Sequence, residues 1–308
     1  MATGGRAKTG LKGHPDDAPA PQEKAAGWHP VDWACEFLGT AFQLFLGFSI
    51  VAVLESPESP VRAVLASPGL RLVVIGLAFG LLAAVVALSP VGRRSGAHLN
   101  PSVTLGFYLR KHTPALDAIG YIIAQVAGAL VAGAAFVAAW GSWARSVNDA
   151  RTQPATGLPG WGVVGIEAAL TLGLLITVFF MVSSRRTARW TPAVVTGVLT
   201  GLIWAGAPHT GASMNPARTF GPDVVSGAFP VLWAYVIGPL AGALLAVLAF
   251  AAIGRTRPTL TAKLFHDERY PSVHATRLPA KPHRGSDQRN GRDAYKAGQP
   301  STTAEPSM

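Results

Sequence analysis

Two short segments of this sequence place an amide beside a proline: Asn100-Pro101-Ser102 and Asn215-Pro216-Ala217. Asparagine is a favoured helix N-cap, and proline is tolerated at the first helical position because its missing N–H would have no partner within the helix. Each pair therefore predicts the start of a helix. A helix N-terminus carries about half a positive charge, so two such ends that face each other would oppose cations. The two amides could then donate hydrogen bonds to a neutral oxygen.

The two segments belong to a repeat. When the asparagines are aligned, the stretches 96–106 and 211–221 also share Gly, Ala, Pro, Thr and Gly at corresponding positions. The copies differ at Arg218, which corresponds to Val103. A charge within apolar sequence is costly, so Arg218 is expected either to line a pore or to pair with backbone carbonyls.

The elements around these segments are long apolar runs. The chain has 308 residues, of which 49% are hydrophobic and 14% charged, a composition typical of membrane proteins. A bilayer core needs about 20 apolar helical residues. Six stretches approach or exceed that length: Glu36–Leu54, Leu70–Leu88, Ala115–Trp140, Gly162–Val182, Pro192–Ala207 and Phe229–Ile253.

Only about seven to ten apolar residues follow each Asn-Pro pair, too few to cross a bilayer at about 1.5 Å per residue. We therefore expect an all-α membrane protein with six transmembrane helices and two re-entrant half-helices. The channel domain covers 31–256, with one repeat over about 31–140 and the second over about 160–256. Three spans in each repeat make the second copy inverted in the membrane.

The connectors predict the orientation. With cytoplasmic termini, the inner connectors carry Arg93, Arg94, Arg110, Lys111, Arg185, Arg186 and Arg189, whereas the outer ones carry Arg62, Arg145 and Arg151. This bias fits the positive-inside rule. Residues 1–30 and 257–308 are rich in Pro, Gly, Ser and charge, which predicts disordered cytoplasmic tails, the second of them basic.

Several polar residues receive a structural interpretation. Glu36 and Glu167 stand near the start of each repeat, and we expect both carboxylates to accept hydrogen bonds from the re-entrant loops. His98 could gate with pH, but loop packing is favoured. The glycine pairs at 76 and 80, 197 and 201, and 238 and 242 predict close helix packing. The single cysteine excludes a disulfide within the chain, and the sequence indicates no metal site, cofactor, catalytic residue or nucleic-acid surface.

Together these features resemble the aquaporin, or major intrinsic protein, family. The resemblance covers about 33–254 and includes Glu36, "LAFGL" at 77–81, "SGAHLNPSVTLGF" at 95–107, "GIEAALT" at 165–171 and "NPARTFGP" at 215–222. It implies an hourglass pore in each subunit, with a constriction formed by the two Asn-Pro segments, and a homotetramer. Ser102 departs from the usual Asn-Pro-Ala signature.

The resemblance also implies a filter toward the outer mouth, formed here by Phe79, Ile203, Ala212 and Arg218. Counting back from Asn100 without a gap would give Gly80 instead of Phe79. Water-selective relatives usually have histidine where this chain has isoleucine, which leaves the pore partly apolar. Thr219 and Asp223 stand where glycerol facilitators often have an aspartate and a basic residue, and this favours the aquaporin branch.

We therefore expect a passive channel for water, with small neutral solutes as further substrates, in contact with lipids of a plasma membrane, which the composition suggests is bacterial. A glycerol facilitator of the same family is the main alternative. A secondary transporter would need charged coupling sites at mid-membrane. A junction protein with a closed pore is a further alternative, and an enzyme is the least favoured class.

Overall fold

The structure is a computed structural model that describes residues 27–229, 231–253, 258–267, 269–270 and 273–274. The regular elements within these residues are all helical, with a short 3₁₀ turn at Asn148–Ala150. In chain order the α-helices are α1 (Pro30–Glu55), α2 (Pro60–Val64), α3 (Pro68–Leu88), α4 (Pro90–Ser95), α5 (Pro101–Leu109), α6 (Ala115–Trp140), α7 (Ser142–Ser146), α8 (Gly160–Met181), α9 (Arg185–Ala188), α10 (Thr191–Thr210), α11 (Pro216–Ser226) and α12 (Leu232–Ile253).

Six helices are long and apolar enough to cross a membrane: α1, α3, α6, α8, α10 and α12. The predicted six spans and two half-helices are confirmed, the latter as α5 and α11. Prolines explain several of the starts, since α1 to α5 and α11 all begin at one. Helix α1 starts at Pro30, six residues before the predicted span, because the helix continues beyond the apolar run.

The two repeats pack as matched halves. Helix α1 packs against α6 in the first half, α8 packs against α12 in the second, and α3 packs against α10 across the halves. Each half-helix contacts the last long helix of the other half, α5 on α12 and α11 on α6. The α4 end of the bundle carries α4 and the described residues after α12 (258–267, 269–270 and 273–274), and the α2 end carries α2 and α7. The expected inverted repeat is thus confirmed.

Two of the three predicted glycine pairs lie at close helix contacts. A Cβ on Gly80 would come 2.7 Å from the Cα of Thr196, and one on Gly242 would come 2.4 Å from the carbonyl oxygen of Ala168. Gly197 and Gly201 differ from the prediction, because a Cβ on either would meet nothing within 4 Å in the described chain. The same spacing in the sequence therefore marks a packed face on two helices and an open face on α10.

The segment after α12 also differs from expectation. The sequence predicts a disordered tail over 257–308, yet Thr259, Ala262, Lys263, Leu264 and His274 are all buried against the α4 end. The physical reason is that apolar and hydrogen-bonding side chains alternate here and find partners on the helix ends. Within the two predicted tails, residues 1–26, 257, 268, 271–272 and 275–308 lie outside the described residues, and Pro30 already belongs to α1.

Candidate functional site

Each half-helix is preceded by a loop with unusual backbone geometry. In the first loop Ala97 and Leu99 have positive φ angles of 56° and 53°, and in the second Ala212 and Met214 have 48° and 53°. Such left-handed conformations cost about 1–3 kcal/mol each for residues other than glycine, so surrounding contacts must hold them. The matched positions show that the two loops follow the same path.

Two buried carboxylates supply those contacts. Glu36 accepts hydrogen bonds from the backbone N–H groups of His98 (3.0 Å) and Leu99 (2.7 Å). Glu167 accepts from the N–H groups of Ser213 (2.9 Å) and Met214 (2.7 Å). Both glutamates are completely buried. Each carboxylate therefore fixes the two residues that lead to the asparagine, which is the structural role that the sequence suggests.

Each asparagine side chain caps its half-helix and also reaches across to the other loop. The carbonyl oxygen of Asn100 accepts from the N–H of Ser102 at 2.8 Å, and that of Asn215 accepts from Ala217 at 3.1 Å. The amide nitrogen of Asn100 donates to the carbonyl of Met214 (2.8 Å), and that of Asn215 donates to the carbonyl of Leu99 (3.0 Å). These crossed bonds join the two half-helix N-termini. A carboxamide has two N–H bonds, and each crossed contact uses one.

Arg218 lies on the first turn of α11 and points toward the α2 end. Its guanidinium donates to the carbonyl of Ala150 at 2.8 Å and lies 5.4 Å from the centre of the Phe48 ring. The arginine thus combines the two alternatives from the sequence, because it bonds a backbone carbonyl and also lines a cavity.

A cavity of about 300 Å³ runs between the two halves. Its walls include seven of the predicted site residues: Phe79, His98, Asn100, Ile203, Ala212, Asn215 and Arg218. Gly80 instead faces α10, where Thr196 leaves no room for a side chain. Of the two alternatives for the first filter position, Phe79 is therefore the one on the cavity wall.

The remaining predicted residues of the Asn-Pro segments lie behind this wall. Pro101, Ser102, Pro216 and Ala217 are buried in the first turns of α5 and α11. The Ser102 hydroxyl has no hydrogen-bond partner among the described residues. The serine that departs from the family signature therefore faces the protein interior instead of the cavity.

Sequence reasoning missed two contributors to the site. Gln125 on α6 donates to both Glu36 (2.8 Å) and Thr104 (2.9 Å), and its only signal was an amide within an apolar run. Leu264 lines the cavity from outside the predicted channel domain, and no motif marks it.

The site shows no arrangement for binding a metal. Among the residues that the structure describes, no group of three or more His, Cys, Asp or Glu side chains could hold an ion.

Comparison with known proteins agrees with this architecture. The model of the family described as "Major intrinsic protein" matches residues 31–250. The chain is 34% identical over 235 residues to aquaporin AqpM of Methanothermobacter thermautotrophicus, covering 70% of this chain and 94% of the relative. It is 35% identical over 231 residues to glycerol uptake facilitator protein-like 6 of Lactiplantibacillus plantarum, covering 72% and 97%.

A solved structure supports the fold. The X-ray structure of the aquaglyceroporin from Plasmodium falciparum superposes with a TM-score of 0.59 at 21% identity, covering 72% of this chain and 95% of that one. At that identity the likeness shows the fold alone. The six spans, the two half-helices joined by crossed hydrogen bonds, and the match over most of the chain lead to one conclusion: this chain is a member of the major intrinsic protein family of membrane channels.

Proposed function

We propose that this protein is a passive channel that conducts water, with small neutral solutes as further substrates, through the cavity between its two repeats. The observation that carries the proposal is the cavity itself, whose wall holds both asparagine carboxamides and Arg218. A water molecule takes about 30 Å³ in the liquid. The volume of about 300 Å³ therefore has room for several waters.

The geometry supports conduction of neutral molecules over cations. The N-termini of α5 and α11 meet at the crossed asparagine bonds, and each carries about half a positive charge. The second N–H of each carboxamide is free of the crossed bond and can donate to a passing oxygen. A hydroxyl or water oxygen accepts such bonds, whereas a cation meets the positive ends of two helices and the Arg218 guanidinium.

The side chains of the cavity wall near Arg218 determine which solutes pass. Phe79, Ile203 and Ala212 offer apolar surface, and Arg218 offers hydrogen-bond donors on the same cavity. An alcohol such as glycerol presents both a carbon chain and hydroxyls, so Ile203 favours glycerol conduction as a second candidate function. The relatives named above include an aquaporin and a glycerol uptake facilitator-like protein, which is consistent with either substrate.

The proposal includes the assembly and orientation. We place the protein in a plasma membrane as a homotetramer, with the α4 end cytoplasmic. The arginines at 93, 94, 185, 186 and 189 support this orientation. Exposed apolar side chains such as Ile119, Ile123 and Leu248 fit contacts with lipid or with neighbouring subunits.

Stopped-flow light scattering on proteoliposomes tests the proposal. The wild-type chain and a Leu264→Gly variant, which enlarges the cavity at its α4 end, are compared with empty liposomes under gradients of sucrose, glycerol and urea. We expect at least one of the two proteins to raise water permeability above that of empty liposomes, and neither to carry protons, as read by an internal pH-sensitive dye. Water permeability at the empty-liposome level for both proteins would contradict the proposal.

Variants on α10 and α11 connect the flux to this cavity. In the Leu264→Gly chain, Ile203→Phe narrows the cavity and should reduce water permeability. Trp204→Phe, a change at an exposed neighbour on the same helix, should leave it unaltered. Arg218→Ala should increase the passage of larger or charged solutes. An unchanged solute profile in Arg218→Ala would show that the arginine does not contribute to the filter.

A further inference from the structure

We propose that the segment after α12, which the structure describes at 258–267, 269–270 and 273–274, forms an autoinhibitory strap that closes the α4 end of the cavity, with Leu264 as the side chain that blocks the opening. The inference rests on the proposed function, because a closed end matters only if the cavity conducts. Two hydrogen bonds attach the strap next to Asn100: the N–H of Leu264 donates to the carbonyl of Gly96 (3.0 Å), and the His98 ring donates to the carbonyl of Ala262 (2.9 Å). Leu264 is 7% exposed and lies on the cavity wall.

The strap is anchored to both repeats. On one side Arg110, at the end of α5, donates to the Thr259 hydroxyl at 3.0 Å through its Nη2 atom. On the other side the N–H of Leu260 donates to the carbonyl of Val182, at the end of α8, at 3.0 Å. Helices α5 and α8 belong to different halves, so a chain bonded to both passes over the interface where the cavity lies.

Charged side chains join the strap to α4. Arg93 pairs with Asp267 at 2.9 Å, and its guanidinium lies 5.3 Å from the centre of the Phe265 ring. Lys263 donates from its ammonium to the carbonyls of Arg93 (2.6 Å) and Tyr270 (3.1 Å). The Arg93–Asp267 pair is partly exposed, and such pairs contribute about 1 kcal/mol or less, so removing either partner should weaken the strap without abolishing its other contacts.

His274 forms a further contact of the strap, at the end of the part that the structure describes. The ring is buried; its Nε2 atom donates to the carbonyl of Ser95, and its Nδ1 atom accepts from the Thr113 hydroxyl at 3.0 Å. A Cβ on Gly96 would come 2.9 Å from this ring, so the glycine leaves the space in which the histidine sits. The strap therefore occupies a fitted site between α4 and α6, which distinguishes it from a tail that rests on the surface.

Water permeability tests the block. We compare the wild-type chain with Leu264→Gly, which removes the blocking side chain, and with Arg93→Gln and Asp267→Asn, each of which breaks the ion pair between α4 and the strap. If the released conformer occupies about 10% or less of the wild-type population, Leu264→Gly should raise permeability about tenfold or more. Arg93→Gln and Asp267→Asn should each raise water permeability by a smaller factor. Trp190→Phe, an exposed side chain at the same end, is the control and should match wild type.

Thiol labelling tests the seating of the strap without any flux. Cys35 is replaced by serine, Leu264 is replaced by cysteine, and the rate of reaction with a water-soluble maleimide is measured in liposomes. We expect slow labelling, with acceleration by Arg93→Gln or by Asp267→Asn. Rapid labelling without Arg93→Gln or Asp267→Asn would show that position 264 is accessible and would contradict the proposed strap.

The two measurements separate the failure of this inference from that of the proposed function. Slow labelling with equal, high permeability of wild type and Leu264→Gly would overturn the block and leave the channel function standing. Slow labelling with every variant at the empty-liposome level would instead overturn conduction, and the block with it.

Discussion

Replacing Glu167 with glutamine should destabilise the protein by an amount that the structure allows to be worked out. The buried carboxylate accepts three hydrogen bonds, from the Thr210 hydroxyl (2.7 Å) and from the N–H groups of Ser213 (2.9 Å) and Met214 (2.7 Å). Glutamine keeps one acceptor oxygen but presents an NH₂ group on the other side, so at least one buried N–H loses its acceptor. Hydrogen bonds to charged groups contribute about 1.5–3 kcal/mol, and we expect a loss of about 3 kcal/mol.

The substitution should also change the conformation of the second loop and lower the water flux. Met214 has a positive φ, and without its acceptor the second loop should relax toward ordinary backbone angles. Reversible denaturation in detergent micelles measures the stability, and stopped-flow scattering on Leu264→Gly liposomes, with and without Glu167→Gln, measures the flux. Glu58→Gln is the control, because that carboxylate accepts an exposed bond from Ser142. If Glu167→Gln were as stable as Glu58→Gln, the carboxylate would not hold the loop.

Three further predictions concern the wall, the motif and the strap. Ile203→His should lower glycerol permeability relative to water, because a polar ring replaces apolar surface; an unchanged ratio in the solute panel would remove Ile203 from selectivity. Ser102→Ala should raise the free energy of unfolding by about 1 kcal/mol and leave water permeability unaltered, because it removes a buried hydroxyl without a partner; a loss of stability would reveal a bond to that hydroxyl. Acidification should release the strap, because burial and neighbouring positive groups hold the pKa of His274 well below its ordinary value. The seated ring is neutral, while the released ring takes a proton near pH 6.5, so seating weakens as the pH falls below about 6.5 and permeability should rise. A flat profile between about pH 8 and 5, or the same profile in His274→Gln, would contradict this. The titratable and polar groups that face the ring are His98, His112, Lys263, Tyr121 and Thr113.

Much of the fold follows from local sequence. Runs of about 20 apolar residues specify the spans, because a bilayer accepts backbone only when its hydrogen bonds are satisfied within the segment. The Asn-Pro pairs specify the starts of α5 and α11, since capping involves residues two or three apart in the chain. Three spans in each repeat make the second copy inverted. These features depend on residues that are close together in the chain, which is why the sequence by itself determined them.

The site depended on contacts between distant residues. The crossed bonds join residues 114 and 116 positions apart, and the bonds of Glu36 reach 62 and 63 positions along the chain. The position of Phe79 on the cavity, with Gly80 against α10, follows from the rotation of α3 against its neighbour, which the spacing of apolar residues leaves open.

The largest departure from the sequence prediction was the segment after α12. Its Pro-, Thr- and Lys-containing composition resembles a solvated tail, and no local pattern distinguishes it from one. Its order comes from partners on α4, α5 and α8, such as the carbonyls of Gly96 and Val182. The apolar runs and the caps determined that a pore protein would form. Only the tertiary structure, by bringing Leu264 to the end of the cavity, decided what lies across it, because that contact exists only after the helices have packed.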